Sequence, residues 1–227
     1  MDKIICVSLG GSGVTDSSGI DQKRVKKFIG VLQKNRKYRF IVVVGGGKPA
    51  RMYINSLRHK GISNQFLDSV GILVTRLNAF AVKEFAPKSL SVYPKIVESL
   101  DEAKSAIRKK RVVFMGGLHP GITTDGVTAL VCDAVGSKLL INLSSEPYVY
   151  DRNPELPGAK RFETLSYDQL LSLSKKYGQP EPGLNFIFDI TASRIVKRSR
   201  IEVRFAGYSA QSFADAITGK HRGTTVK

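Results

Sequence analysis

Short, continuous apolar runs alternate with longer stretches of helical periodicity along this chain of 227 residues. A short apolar run that ends at glycine is typical of a parallel strand buried on both faces. On this basis the pattern predicts strands at residues 4–9, 40–44, 111–115, 138–143 and 201–205, with a final edge strand at 223–226. The segment 148–162 is predicted to be a hairpin or an ordered loop.

Helical spacing of the apolar residues fills the stretches between these strands. It predicts helices at residues 21–35, 49–60, 66–85, 101–109, 123–135, 167–175, 189–197 and 210–217. Strands that alternate with helices indicate an α/β fold, a three-layer α/β/α sandwich around a mostly parallel sheet. We expect a single domain over residues 1–227, with a seam near residue 140 between an N-terminal and a C-terminal lobe.

The predicted helix at 66–85 differs from the others because its apolar residues occupy most of its circumference. Such a helix is expected to be buried on more than one side. We therefore expect it to pack against a second copy of the chain in an isologous two-fold contact.

The charge balance is strongly basic, with 36 Lys and Arg against 19 Asp and Glu and a formal net charge of +17. A field of this sign favours partners that carry phosphate. The basic residues form short runs at 23–27, 108–111 and 197–200, which we interpret first as solvated helix faces. Because no run is interleaved with aromatic residues, the sequence argues against nucleic acid as a partner.

Cysteine usage and hydropathy indicate a cytoplasmic protein. Cys6 and Cys132 lie in apolar surroundings and have no metal-ligand spacing. No apolar stretch reaches the length of a membrane span, and the N-terminus does not have the layout of a signal peptide. We expect neither a membrane partner nor a dedicated metal site.

Three glycine-rich turns, at residues 10–13, 45–48 and 116–121, each follow a predicted strand. In a parallel sheet these turns lie at the carboxyl edge, where ligands bind. Glycine lets the backbone approach a phosphate closely, and the following helix N-terminus adds positive potential. Three such turns on one edge predict an anion or nucleotide site.

Several common nucleotide and catalytic motifs are missing from the sequence. There is no GxxxxGK[ST] motif, which excludes a P-loop kinase, and no dinucleotide-binding glycine spacing. Neither HExxH nor GxSxG occurs. The anion site therefore belongs to another class of α/β protein.

Individual side chains near the glycine turns have two interpretations each. Lys48 and Arg51 are either phosphate ligands or solvated cations one helical turn apart. Asp68, at a predicted loop-to-helix junction, is either a ligand or a helix cap. The same choice holds for Thr123 and Thr124, whereas His119 fits a structural loop residue.

The motifs taken together resemble those of the archaeal uridylate kinases of the amino-acid kinase family. The similarity extends from residue 4 to residue 226, nearly the whole chain. The segments that carry it are GGS, VVVGGGKPAR, DxxGIxxTRxNA, MGGLHPGITTD and GKHRGTTV. Among them, GGGKxAR and HPGxTTD are the most specific to this branch.

The resemblance implies a UMP kinase that uses Mg²⁺ with ATP and assembles as a homohexamer. For such a transfer the protein mainly neutralises charge, and Lys48 and Arg51, beside the second glycine turn, are our catalytic candidates. The ATP-binding positions would be Gly11, Ser12, Gly47, Arg51, Ser144, Ser145, Tyr150 and Asn153. The UMP-binding positions would be Gly46, Asp68, Leu118, His119, Pro120, Gly121, Ile122, Thr123 and Thr124.

Departures from the family pattern concentrate on the ATP side. Residues 144–150 read SSEPYVY where the family has TNVDGVY, so Pro147 restricts the backbone and a glycine is lost. Ser8 and Asn153 stand where aspartates are usual. Two alternatives therefore remain at this stage: another small-molecule kinase of this fold, or a non-catalytic protein that binds a nucleotide or anion.

Overall fold

A computed structural model describes residues 3–16, 18–58, 61–177 and 188–227 of the chain. Its strands are β1 (Lys3–Leu9), β2 (Tyr38–Val44), β3 (Val112–Met115), β4 (Leu139–Ser144), β5 (Val149–Tyr150), β6 (Arg161–Phe162), β7 (Thr164–Leu165), β8 (Glu202–Gly207) and β9 (Thr225–Val226). Its helices are α1 (Gln22–Lys34), α2 (Gly47–Leu57), α3 (Asn64–Glu84), α4 (Leu100–Lys109), α5 (Thr124–Ala134), α6 (Tyr167–Tyr177), α7 (Ile190–Ser199) and α8 (Ala210–Thr218). The predicted helix at 49–60 ends at residues that lie outside the described part of the chain.

Seven strands form one sheet in the order β3-β2-β1-β4-β8-β9-β7. The first five pair in parallel, while β9 runs antiparallel to β8. The strand predicted at 223–226 is therefore not at the edge, because β7 lies outside it. The two-residue β7 is too short to leave a periodic signal in the sequence. The hairpin predicted at 148–162 is confirmed, since β5 and β6 pair antiparallel.

Alternate residues of the central strands face opposite layers, as the pleat of a strand requires. Ile5 and Val7 of β1 pack with helices α1, α3 and α8, whereas Cys6 packs with α4, α5 and α7. The stacked rings of Phe28 and Phe213, 5.1 Å apart, join α1 to α8 on the first side. This arrangement confirms the predicted three-layer α/β/α sandwich.

Helix α3 begins earlier than its apolar pattern predicts. Ser63 is its N-cap, because the Ser63 side chain accepts a hydrogen bond from the backbone N–H of Phe66. Asp68 consequently lies inside the helix and does not cap it, which corrects the helix-cap interpretation. The polar residues Asn64 and Gln65 continue the helix without contributing to its apolar periodicity.

One side of α3 is buried and the opposite side is exposed. Leu67, Val74 and Val82 are at most 7% exposed. A stripe on the other side, together with two residues of the neighbouring α2, leaves large apolar side chains between 51% and 65% exposed: Met52, Tyr53, Phe66, Leu73, Leu77 and Phe80. Within one copy of the chain, α3 is therefore buried on one side only.

Candidate active site

A cleft of about 340 Å³ lies at the carboxyl edge of the parallel strands. Its floor is formed by the first two glycine turns and by the N-terminus of α5. Helices α2 and α5 both begin at this cleft, so their first backbone N–H groups and their helix dipoles supply positive potential there. The arrangement is suited to a ligand that carries phosphate.

The first two glycine turns touch each other through their backbones. A Cβ atom at Gly11 would lie 2.0 Å from the backbone nitrogen of Gly47. Gly47 itself has a φ of +63°, in the left-handed region that favours glycine. The Thr15 hydroxyl donates to the carbonyl of Gly11 at 2.9 Å and so stabilises the first glycine turn at this contact. Close backbone approach therefore explains why glycine occupies these positions.

Side chains of α3 hold the second and third glycine turns in place. The amide of Asn78, which is buried, donates to the carbonyls of Gly45 and Gly46 at 2.9 and 3.1 Å. The Thr75 hydroxyl accepts from the N–H of Gly117 at 2.7 Å. One helix thus fixes the relative position of both turns.

Arg76 extends this support to the third turn. Its guanidinium donates to the carbonyls of Gly117 and Leu118, at 3.2 and 3.3 Å. It also pairs with Glu98 at 2.6 Å. Because its donors are used by the protein itself, Arg76 is a scaffold residue of the turn.

Asp125, in the first turn of α5, connects three elements at the centre of the cleft. Its Oδ1 accepts from the Ser8 hydroxyl of β1 and from the Asn142 amide of β4, both at 2.7 Å. The pKa of the Asp125 carboxyl is raised to about 6, mainly by burial and also by the nearby Asp189 carboxylate, while the hydrogen bonds from Ser8 and Asn142 act in the opposite direction.

Asp189 approaches the same region from the other side of the cleft. It caps α7, since its Oδ1 accepts from the N–H of Ala192 at 2.8 Å. Its Oδ2 accepts from the hydroxyl of Thr123, which in turn caps α5. The N-termini of α5 and α7 are thereby linked through a pair of capping side chains.

Tyr208 covers the first glycine turn. A Cβ atom at Gly13 would lie 2.3 Å from the Tyr208 ring, and one at Gly10 would lie 2.5 Å from its hydroxyl oxygen. Burial raises the pKa of the Tyr208 hydroxyl to about 12, with a contribution from the nearby Asp125 carboxylate. The hydroxyl is therefore a neutral hydrogen-bonding group at the wall of the cleft.

The loop after β4 is shaped from within by Glu146. The Glu146 carboxylate accepts from the N–H of Tyr148 at 3.2 Å and from the hydroxyl of Tyr150 at 3.4 Å. The Ser144 hydroxyl donates to the carbonyl of Glu146. The guanidinium of Arg161 stacks on the Tyr148 ring, 4.6 Å from its centre.

The structure brings together about half of the residues that the sequence predicts for the site. The predicted residues that line the cleft are Gly11, Ser12, Gly46, Gly47, Arg51, Thr123, Thr124, Ser144 and Ser145. The predicted residues that do not line it are Lys48, Asp68, Leu118, His119, Pro120, Gly121, Ile122, Tyr150 and Asn153.

One of the residues outside the cleft, Asp68, is nevertheless connected to its surroundings. Asp68 accepts a hydrogen bond from the N–H of Gly121 at 2.9 Å, which joins α3 to the third glycine turn. The carboxylate of Asp68 and the turn at 116–121 thus form a second polar surface beside the cleft. Asn153, by contrast, accepts from the N–H of Glu155 and stabilises its own turn.

Sequence reasoning did not identify several residues of the site. Asp125 follows the noted Thr123-Thr124 pair directly and resembles an ordinary acidic residue in the first turn of a helix. Thr75, Arg76 and Asn78 were recognisable from the sequence, because they belong to DxxGIxxTRxNA, one of the motifs that carry the family resemblance. Tyr208 gave no signal, since its packing on Gly13 depends on the fold alone.

The fold and the cleft define an α/β protein with a cleft suited to phosphate at the carboxyl edge of a parallel sheet. The chain belongs to the amino acid kinase family, whose model matches residues 3–207.

Relatives with assigned names support a narrower grouping. The chain is 38% identical over 221 residues to the uridylate kinase of Thermoplasma volcanium, covering 97% of this chain and 95% of that protein. It is 35% identical over 227 residues to the uridylate kinase of Thermococcus onnurineus, covering 98% and 99%. The crystal structure of uridylate kinase from Archaeoglobus fulgidus matches with a TM-score of 0.85 at 32% identity, over 98% of this chain and 99% of that chain.

Proposed function

We propose that the protein is a UMP kinase, which transfers the γ-phosphoryl group of ATP to UMP and yields UDP and ADP. The observation that carries the proposal is the convergence of two glycine turns and the N-termini of α2 and α5 on one cleft. The similarity of the whole chain to uridylate kinases supports UMP as the acceptor. The reaction is a step of pyrimidine nucleotide biosynthesis, and we propose that the protein performs it in the cytoplasm.

Transfer proceeds directly between the two substrates. A phosphate oxygen of UMP attacks the γ-phosphorus, the bond from that phosphorus to the β,γ-bridging oxygen breaks, and ADP leaves with the electron pair. The nucleophile is already ionised at neutral pH, so the protein's tasks are to position both substrates and stabilise charge. Arg51, which lines the cleft, and the N–H groups of the glycine turns would stabilise that charge. Lys48 lies in the first turn of the same helix but does not line the cleft, so its side chain would have to turn towards the bound phosphates to contribute.

The two substrates occupy different parts of the site in this proposal. The lobe of residues 1–140 binds UMP, near Asp68 and the turn at 116–121, and the lobe of residues 141–227 binds ATP. Asp68 and the N–H groups of the third turn are polar and face the region beside the cleft. The loop after β4 contributes Ser144 and Ser145 on the ATP side.

A divalent ion enters with ATP, and the oxygen donors of the cleft suit Mg²⁺. Mg²⁺ is usually held by one or two carboxylates together with substrate phosphates, and Asp125 and Asp189 both line the cleft. When bound, the ion would neutralise charge on the phosphate chain. Ser8 and Asn142 orient the Asp125 carboxylate, and Thr123 orients that of Asp189.

The exposed stripe on α3 supports a homo-oligomer. Phe66, Leu73, Leu77 and Phe80 repeat at intervals that place them on one side of the helix, beside Met52 of α2. A contiguous apolar patch of this kind marks a protein interface. We propose that two copies pack there about a two-fold axis and that such dimers build a hexamer. Light scattering that found only a 24.9 kDa species would contradict this.

Product analysis tests the proposed reaction. After incubation with Mg-ATP and UMP, phosphorus NMR should detect ADP and UDP in equal amounts, and no phosphorylated protein. A phosphorylated protein would contradict direct transfer.

A second candidate is a non-catalytic protein that binds a nucleotide. The altered loop at 144–150 favours it, because Glu146 adds a carboxylate to the ATP side of the cleft. This candidate predicts that UMP binds in calorimetry while no UDP forms.

A further inference from the structure

The amino edge of the sheet, opposite the cleft, gathers basic residues that are scattered in the sequence. Four of the five parallel strands begin with, or are directly preceded by, a basic residue or a short basic stretch, and β8 has Arg200 two residues before its start. From one side of the sheet to the other these are Lys110 and Arg111, Arg36 and Lys37, Lys3, Lys138, and Arg200.

The topology places these residues side by side. Because β3, β2, β1, β4 and β8 are all parallel, their first residues share one edge. Neighbouring strands lie about 4.8 Å apart, so the row spans roughly 20 Å. The last turns of α4 and α7 end at the same edge and add Lys109 and Arg198.

The carboxylates at this edge neutralise Arg198 but do not compensate for the basic residues at the strand starts. Asp133 pairs with Arg198 at 2.8 Å, Asp168 pairs with Lys197, and Glu202 pairs with Arg204 at 2.6 Å. By contrast, Lys3, Arg36, Lys37 and Lys109 are all exposed. The edge therefore presents a net positive surface to solvent.

Local structure explains only part of this charge. Cations in the last turn of a helix favour its dipole, which accounts for Lys109 and Arg198. Lys3 lies at the start of a strand and Lys37 directly precedes one, so neither has such a role. The proposed kinase reaction does not use them either, because β1 spans roughly 20 Å between this edge and the cleft.

We infer that this edge, called the basic edge from here on, docks the phosphate backbone of double-stranded nucleic acid. A row of exposed cations roughly 20 Å long matches a regularly spaced polyanion, which binds by release of its counterions. Two aromatic rings at this edge lie beneath cations: Lys37 stands over Tyr38, 5.3 Å from the ring centre, and Arg200 stands over Tyr167 at 5.8 Å. Covered rings do not stack on unpaired bases, which favours a duplex over a single strand.

Backbone contacts position a protein on a duplex without reading its sequence. Binding should therefore be independent of sequence and should weaken steeply with salt. From the sequence alone, the basic runs are predicted to be separate solvated helix faces. The parallel topology of the sheet shows that several of these residues lie side by side on one surface.

Fluorescence anisotropy with a labelled duplex of arbitrary sequence, about two helical turns long, tests the inference. The test variant is Lys3→Gln/Lys37→Gln/Lys109→Gln, which removes three exposed lysines from the basic edge. The matched control is Lys23→Gln/Lys26→Gln/Lys27→Gln, which removes three exposed lysines from the first half of α1. Both variants carry the same net charge.

The wild type should bind the duplex at low salt, and the basic-edge variant should bind roughly tenfold or more weakly. The slope of log K against log salt should fall in magnitude by about 2.7 in that variant, for three lost phosphate contacts. The control should retain the wild-type affinity and slope, and both variants should keep the wild-type melting temperature and kinase activity.

Three results would overturn the inference. The first is a wild type that does not bind at low salt. The second is an equal loss in both variants, which would indicate diffuse charge. The third is binding to vesicles of anionic phospholipid that is as tight as binding to the duplex and is lost in the same variant, which would assign the basic edge to a membrane surface.

Discussion

The two sides of the cleft acquire their shapes in different ways. The second and third glycine turns are held by side chains of α3, which are more than 30 residues away in sequence from the backbone groups they bind. The cleft-facing part of the loop after β4 is shaped by its own Glu146, two residues from Tyr148. The second half of that loop is also anchored by Thr224, whose N–H donates to the carbonyl of Pro147 at 2.9 Å and whose hydroxyl accepts from the N–H of Val149 at 2.8 Å.

This difference indicates where the sequence is free to vary. A turn that is held by side chains of a distant helix depends on several elements at once. A substitution in such a turn therefore disturbs those elements as well. A loop that folds on itself accepts new residues as long as its internal bonds are replaced. The departures from the family pattern at residues 144–150 occur on the self-supported side, where Glu146 supplies such bonds.

The largest expected effect concerns the charge that Arg51 brings to the cleft. Arg51→Ala should lower kcat/KM by roughly 10- to 1000-fold, because a charge-stabilising donor is lost. The melting temperature should be unchanged, since the side chain is exposed. Steady-state kinetics with Mg-ATP and UMP measures the effect.

Arg58→Ala is the matched control for this change, because Arg58 is an exposed arginine at the C-terminus of the same helix. It should keep wild-type kinetics. Full activity in Arg51→Ala would remove Arg51 from the mechanism. Lys48→Ala, one turn earlier, should also lower kcat/KM.

The next largest effect is expected for Asn78, the side chain of α3 that holds the second glycine turn. Asn78→Ala leaves the carbonyls of Gly45 and Gly46 without their donor, which should cost about 1–3 kcal/mol of stability. The displaced turn should also lower kcat/KM by roughly tenfold or more. Thermal unfolding and kinetics on the same preparation measure both changes.

Glu146→Gln provides the contrast on the self-supported side. The glutamine keeps an acceptor for the N–H of Tyr148, so stability should change by less than about 0.5 kcal/mol. If Glu146→Gln were as damaging as Asn78→Ala, the difference between the two sides would not hold.

A smaller effect concerns Asp68 and the ribose of UMP. A carboxylate that binds both ribose hydroxyls loses one partner with dUMP, so the wild type should prefer UMP over dUMP by roughly tenfold or more. Asp68→Ala should bring the ratio of the two kcat/KM values close to unity and leave the KM for ATP unchanged.

The alternative is that Asp68 only holds the third turn through Gly121. In that case Asp68→Ala would weaken UMP and dUMP equally. Ser63→Ala is the control for helix capping, and it should lower stability by about 1 kcal/mol while the ratio stays intact.

The smallest effect is a pH dependence of stability that arises from Asp125. The pKa of this carboxyl is about 6 in the folded protein, above its ordinary value of 3.8. Its contribution to stability is therefore fully present below about pH 3.8 and is lost as the pH rises through about 6. Asp125→Asn imitates the neutral form and keeps the acceptor for Ser8 and Asn142.

The melting temperature of Asp125→Asn minus that of the wild type should consequently increase between pH 4 and pH 7, the range that brackets this pKa. Scanning fluorimetry over this range provides the measurement. A constant difference would show that the ionisation of Asp125 is not linked to folding.

Much of the fold is predictable from the sequence because buried parallel strands and amphipathic helices leave strong periodic signals. The strands at residues 4–9 and 40–44 and the alternation of elements follow directly from these signals. The two-residue β7 and the cap at Ser63 leave none, so the edge of the sheet and the start of α3 were predicted incorrectly.

The candidate site is predictable only where backbone chemistry determines it. Glycine turns after strands identify the cleft, because the reason for glycine is local. Asp125, Asn78 and Tyr208 act through partners that are far away in sequence. Periodicity and spacing do not identify such residues, since the fold alone supplies their partners. Asn78 and Asp125 are marked only as members of the motifs DxxGIxxTRxNA and MGGLHPGITTD, and Tyr208 is not marked at all.

Release of ADP from Mg-ATP, measured with UMP, with CMP and without an acceptor, tests the proposed function most directly. A UMP kinase should release ADP rapidly with UMP, much more slowly with CMP, and only in trace amounts without an acceptor. Equal rates in all three reactions, or tight binding of UMP without turnover, would contradict the assignment of a UMP kinase.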